Sequence, residues 1–195
     1  MKLWEQDELS LRTLTVEDAS ILLKWLSDPT VLAYYEGRDN PHDEALIQQH
    51  FYEDRDGIHA CILEHQGNAI GYVQYYEVEG EEREEYGLEQ TQGKVIGMDQ
   101  FIGEPAYWNQ GIGTKLIQSM IHFISATEHA DTLVMDPQAW NTRALHVYEK
   151  CGFVKHRFLP KHEWHEGEYR DCWVIIYPVR QQSGHELKDK GVHLS

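Results

Sequence analysis

Lys94-Val-Ile-Gly-Met-Asp-Gln-Phe-Ile102, then Gln110-Gly-Ile-Gly-Thr114, then Leu116, Ile117, Met120, Ile121 and Ile124 spell out a strand, a two-glycine turn and the apolar face of a long helix. A strand feeding a helix in this way is the kernel of an α/β domain. Toward the N-terminus, Leu9, Leu11 and Thr13 alternate as a short strand. Thr15-Val-Glu-Asp18 opens a helix carrying Ile21, Leu22, Trp25 and Leu26, which Asp28-Pro29 stops. A second helix is expected from about Pro41 to Glu53. His59 to Glu64 and Ala69 to Tyr76 read as strands joined at Gln66-Gly67-Asn68, good hairpin chemistry. Residues 77 to 89 hold seven Glu and one Arg and read as a surface loop.

Toward the C-terminus, Thr132 to Met135 is a short buried strand and Asn141 to Cys151 a helix closed at Gly152. Phe153 to Leu159 and Cys172 to Tyr177 finish the sheet. The expected order is β-α-α-β-β-β-α-β-α-β-β, a mixed sheet with helices on its faces. One domain over residues 1–180 and a polar tail over 181–195 are the expected organisation.

Composition narrows the function classes. The chain of 195 residues carries 17 Lys and Arg against 33 Asp and Glu, a formal charge of −16. Phosphate backbones need a basic surface, so a nucleic-acid partner is not expected; the charge instead suits a cationic partner or a solvated exterior. No apolar stretch approaches the roughly 18 residues of a membrane helix, and MKLWEQDELS lacks a signal-peptide core. Cys61, Cys151 and Cys172 form no CxxC pair and read as free thiols, so a cytoplasmic protein is expected.

Two segments can carry chemistry. Gln110 to Thr114 presents amides at a helix start, either as an anion cradle or as a plain tight turn. Leu at position 116 and the lack of a Lys-Ser/Thr ending exclude the dinucleotide and Walker fingerprints. Asn141-Thr-Arg-Ala-Leu-His-Val-Tyr148 places Ala144 and Tyr148 on one helical face, where Tyr148 is a packed aromatic or a proton donor. Asp99 interrupts an otherwise apolar strand. An ionised carboxylate there needs a specific buried partner or a working role in a cleft. His162-Glu-Trp-His165 has a His-x-x-His spacing common by chance among twelve His, and no metal is expected.

Together these segments resemble the GNAT superfamily of N-acetyltransferases. Arg12-Thr-Leu-Thr, Tyr35-Glu-Gly-Arg-Asp39, Ile70-Gly-Tyr-Val-Gln74, Gly97-Met-Asp-Gln-Phe-Ile-Gly-Glu-Pro105, Asp136-Pro and His165-Glu-Gly are similar to the aminoglycoside 6'-N-acetyltransferases. The likeness is to the branch found alone or fused to a phosphotransferase and runs to about residue 178. It implies the GNAT fold, with a mixed, largely antiparallel sheet flanked by helices, and acetyl-CoA as co-substrate without a metal. The implied cofactor-binding residues are Phe101, Ile102, Gln110, Gly111, Ile112, Gly113, Thr114, Asn141 and Ala144. Trp108 stands where the family's loop has a basic or amide residue, and Ile96 where close relatives have Tyr.

The resemblance also implies a cationic small-molecule acceptor, an aminoglycoside, met by Tyr34, Tyr35, Tyr72, Gln74, Glu85, Tyr86, Asp99, Asp136 and Asp171. Asp99 is the expected catalytic carboxylate and Tyr148 the expected proton donor to the leaving thiolate. The expected assembly is a monomer or homodimer, with His162 to Glu168 a polar loop beside the acceptor.

Overall fold

The computed structural model describes residues 1–53 and 55–179. The expected tail, 181–195, lies outside the described residues. Strands β1 (Lys2–Gln6) and β2 (Leu9–Thr13) lead into helices α1 (Ala19–Trp25), α2 (Pro29–Leu32) and α3 (Glu44–Tyr52). A hairpin of β3 (Ile58–His65) and β4 (Asn68–Glu77) is followed by α4 (Gly80–Glu85) and β5 (Val95–Ile102). Then come α5 (Ile112–Thr127), β6 (Thr132–Met135), α6 (Thr142–Lys150), β7 (Val154–His165) and β8 (Glu168–Pro178). Among the described residues the eight strands form one sheet, in the order β1-β2-β3-β4-β5-β6-β8-β7. Every neighbouring pair is antiparallel except β5 and β6. The expected mixed, largely antiparallel sheet flanked by helices is therefore what the chain adopts.

Local chemistry accounts for the turns. Gln66 and Gly67 both have positive φ, 50° and 79°, the conformation a two-residue hairpin turn needs to match strand twist. Asp18 accepts from the Thr15 amide at 2.8 Å and takes both guanidinium nitrogens of Arg12 at 2.7 Å, tying the start of α1 to β2. Helix α5 buries Ile112, Leu116, Ile117, Met120 and Ile124 against one face of the sheet, where Leu145 of α6 joins them. The opposite face carries Leu22, Trp25, Ile47 and Phe51 of α1 and α3, packed on Ile62, Tyr72 and Phe101.

Four expectations need correction. Strand β1 was not expected: its residues are mostly exposed and polar, as an edge strand allows, so its pattern is weak. Helix α2 was not expected: it starts at the Asp28-Pro29 stop of α1, with Pro29 at its first turn and Asp28 capping the Thr30 amide at 2.8 Å. The supposed loop 77 to 89 contains α4, because unbranched Glu favours helix and the adjoining Tyr86 and Leu88 anchor it in the core. His162 to Glu168 is not a loop: β7 runs to His165 and turns at Glu166-Gly167 directly into β8.

One feature of the sheet positions the site. Strands β5 and β6 pair only at Val95 to Gly97 with Thr132 to Val134, and beyond Gly97 they part. The bonds Val78 N to Val95 O and Gly103 N to Ile70 O place the odd-numbered residues of β5 against β4. By antiparallel alternation, the backbone groups of Met98, Gln100 and Ile102 face the gap.

Candidate active site

The gap opens into a cleft of about 690 Å³ between α5 and α6 on one side and α2, β4 and β7 on the other. One end, around the starts of α5 and α6, is lined by Ile102, Gly111, Gly113, Thr114, Asn141 and Ala144, and the other by Tyr35, Gln74, Tyr86 and Asp136, with the Phe101 ring 4.5 Å from that of Tyr35 and the Tyr34 ring 5.6 Å from that of Trp108. Asp99 and Tyr148 line the same space.

The first end is built from main chain. Gly111 is the N-cap of α5 at φ 78°, a left-handed conformation, and a Cβ there would meet nothing within 4 Å. The first intrahelical bond reaches Gly111 from Lys115, so the amides of Ile112, Gly113 and Thr114 point out of the helix end as donors. A sixteen-residue helix adds a favourable field for negative charge. These donors fit the pyrophosphate of CoA. Neither the Gln110 nor the Ile112 side chain lines the cleft: that of Gln110 turns back to the Ala106 carbonyl, and Ile112 is in the core.

Asn141 is the N-cap of α6, and its Oδ1 accepts from the Ala144 amide at 3.2 Å. The Asn-x-x-Ala spacing is thus a capping interaction. Phe101 faces the cleft by its ring only, since its backbone is spent on β4. Ile102 has its carbonyl taken by the Trp108 indole at 2.8 Å. Trp108 therefore braces the loop. Arg143 lies 4.6 Å from the Tyr34 ring centroid and 5.0 Å from that of Trp108, across the cleft mouth. The other departure from the family pattern, Ile96, is in the core at 2% exposure.

The second end is built from side chains and is acidic. Glu36, Asp99, Asp136 and Glu163 all line it. Asp99 stands directly opposite Gln74 in the β4–β5 register, and Gln74 Nε2 donates to its Oδ2 at 2.8 Å. Burial pushes the Asp99 carboxyl up to about 6; the Gln74 bond works against that, and the like charges of Asp136, Glu82 and Glu163 add to it. Asp136 meets His162 Nε2 at 3.2 Å, and that bond raises the imidazole above its usual range.

Tyr148 comes from the opposite face of the sheet. Its oxygen accepts from Gln100 Nε2 at 2.8 Å, and burial pushes its phenol up to about 12. Asp99 and Gln100 point to opposite faces of β5, so Asp99 and Tyr148 share one cleft because β5 and β6 part beside them. Burial also raises all three thiols, Cys61 to about 12, which leaves them poor nucleophiles.

Three expected acceptor residues are not brought to the cleft wall. Tyr72 is fully buried behind Gln74, to which its hydroxyl donates at 2.9 Å. Glu85 is half-exposed and reaches the site only through His162 Nδ1, at 3.3 Å. Asp171 is exposed and accepts from the Lys161 amide at 2.8 Å, holding an irregularity in β7. Conversely, Glu36 and Gln100 line the cleft and were not singled out as site residues, and Arg143, His162 and Glu163 line it too. For Gln100, the residue next to Asp99, strand alternation was the available signal. The others depend on contacts across the fold.

The chain belongs to the acetyltransferase (GNAT) domain family, whose pattern matches residues 15–160. Aminoglycoside N(6')-acetyltransferase type 1 of Klebsiella pneumoniae is 27% identical over 152 residues, covering 76% of this chain and 75% of that protein. Among solved structures, AAC(6')-Ib in complex with ribostamycin and coenzyme A superposes with a TM-score of 0.75 at 22% identity, over 91% of this chain and 97% of that one. A spermidine N-acetyltransferase from Vibrio cholerae, in complex with CoA and spermine, gives a TM-score of 0.69 at 20% identity, over 89% and 96%.

Proposed function

We propose that the chain transfers acetyl from acetyl-CoA to the 6'-amino group of aminoglycoside antibiotics, without an acyl-enzyme, and so confers resistance to them. The observation that carries this reading is that Asp99 and Tyr148, from opposite faces of the sheet, line one cleft that also holds three further carboxylates and the amide cradle at the start of α5. A polycationic acceptor matches four carboxylates, and the similarity to the Klebsiella enzyme supports the same choice.

In this reading Asp99 holds the acceptor ammonium and receives its proton, directly or through water. The freed amine nitrogen forms a bond to the thioester carbon as the carbon–sulfur bond breaks. The Gln100 amide, facing the gap, donates to the carbonyl oxygen as negative charge develops there. Tyr148 gives its phenolic proton to the departing thiolate and is restored, through water, by the second proton that the acetylated nitrogen loses. Burial suits both groups: Asp99 remains largely ionised at neutral pH, and Tyr148 remains protonated. Asp136, with His162 and Tyr86, would order the remaining amines. Unpaired thiols are consistent with cytoplasmic action, as monomer or homodimer, with no nucleic acid or membrane as partner. Among the described residues no helix is long and apolar enough to cross a membrane.

The test is acetyl-CoA turnover on a panel of aminoglycosides bearing either a 6'-amine or a 6'-hydroxyl. Turnover confined to the 6'-amines is expected. Equal activity on both sets would overturn the regiochemistry. Activity on spermidine alone would move the acceptor to the polyamines.

A further inference from the structure

Arg55 is a partly buried cation that the acetyl-transfer chemistry above does not use. It follows α3, close to the sheet face that carries Tyr72, Gln74 and Asp99. Among the described residues it makes no ion pair, and its Nε is buried with no partner. Its other nitrogens are committed. Nη1 donates to the His50 carbonyl at 2.7 Å, which fixes the guanidinium to the end of α3. Nη2 donates to the Tyr72 hydroxyl at 2.7 Å and to Gln74 Oε1 at 2.6 Å. The Tyr72 hydroxyl itself donates to the same Gln74 oxygen at 2.9 Å.

The chemistry of these donors fixes the orientation of the Gln74 amide. A guanidinium can only donate, so the atom it faces must be the amide oxygen. That oxygen has two lone pairs, and Arg55 and Tyr72 occupy both. The nitrogen is left pointing across the strand pair at Asp99 Oδ2, 2.8 Å away. A cation on the carbonyl oxygen also polarises the amide and makes its N–H a stronger donor to a carboxylate. We propose that Arg55 is a positioning residue for acetyl transfer: through Gln74 it holds the Asp99 carboxylate in place and favours its ionised form. This rests on the reading of Asp99 as the group that receives the acceptor's proton.

Opposing influences converge on Asp99. Glu82 of α4, Asp136 after β6 and Glu163 of β7 disfavour its charge, and the phenols of Tyr35, Tyr72, Tyr76 and Tyr148 lie around it. Arg55 is the cation whose hydrogen-bond chain reaches it.

The decisive measurement needs no acceptor: titration of the Asp99 side-chain carboxyl by carbon NMR, in wild type and variants, with Asp99→Asn identifying the resonance. Arg55→Ala is expected to raise the Asp99 midpoint by about one pH unit. Arg55→Lys, which keeps the charge but not the fork, is expected to raise it less. Added guanidinium at millimolar concentration should return Arg55→Ala toward wild type. In a Gln74→Ala background, Arg55→Ala should add little. A folded Arg55→Ala with an unmoved midpoint overturns the proposal, as does an equal shift with and without Gln74. Should Arg55→Ala fail to fold, Arg55→Lys and Tyr72→Phe carry the same test, and unmoved midpoints in both overturn it. Turnover on the aminoglycoside panel is scored separately, so a wrong acceptor and a wrong role for Arg55 give different results.

Discussion

The two ends of the cleft present charge by unlike means. The cradle at Gly111 to Thr114 uses backbone amides and one helix field, so its affinity resides in a conformation and is nearly independent of side-chain identity. The acidic end carries Glu36, Asp99, Asp136 and Glu163, each held by its own partners, so on the proposed reading affinity for the acceptor resides in individual residues. Substitutions should therefore separate the two ends cleanly.

The largest effect is expected at Asp99. Asp99→Ala should lower kcat by about 10²–10⁴-fold, the usual range for a positioned acid or base, with the acetyl-CoA KM little changed. In the wild type, kcat/KM should fall as pH drops through about 6, since protonated Asp99 cannot take the acceptor's proton. The same group weakens the fold. Its folded pKa lies above the unfolded value, so the charged form costs stability once pH exceeds both. Asp99→Asn should thus stabilise the protein by about 1–3 kcal/mol at pH 8 and by almost nothing near pH 3, read from denaturant midpoints. Stabilisation of the same size at both pH values would refute burial as the cause.

Next in size is Tyr148→Phe, with kcat expected to fall by about 10–10²-fold. The loss should shrink with a thioester whose thiol leaves more readily. A deficit that ignores the leaving group would make Tyr148 a packing residue.

The cradle should respond differently. Gly111→Ala places a Cβ at φ 78°, which costs about 1–2 kcal/mol, and the loop relieves this by turning its amides away. The acetyl-CoA KM should rise about tenfold with kcat held. An acceptor KM that rises equally would join the two ends into one unit.

Smallest, and most direct for the comparison, is salt. The formal charge of −16 attracts a cationic acceptor and repels CoA. Between about 50 and 500 mM salt, the acceptor KM should rise a few-fold while the acetyl-CoA KM falls. Parallel changes would return the charge to solubility alone.

The same division explains what could be read from residue order. The strand, glycine turn and helix from Lys94 to Ile124 are local, so periodicity and punctuation reveal them. Asp99 is legible because a carboxylate in an apolar strand is locally anomalous. The cap Asn141 to Ala144 is likewise local. Glu36, Glu163 and His162 reach the cleft only when the chain after α2 and strand β7 are brought to β5, so residue order alone gives neither their side-chain direction nor their partners. Tyr72 misleads for a related reason: it shares a strand face with Gln74 but sits one step deeper, so alternation alone cannot tell the wall from its backing. The Glu-rich stretch misleads in the other direction, because its anchors, Tyr86 and Leu88, lie just beyond the helix they secure.

The parting of β5 from β6 has a kinetic side. Met98, Gln100 and Ile102 present main-chain groups to the gap, so a ligand whose amides lie along it serves as a temporary strand of the sheet. Its arrival would extend the hydrogen bonding of β5 at Met98 and Gln100, and its departure would have to break those bonds again. Turnover would then carry the tempo of strand release, and amide exchange along β5 would slow while those bonds are made.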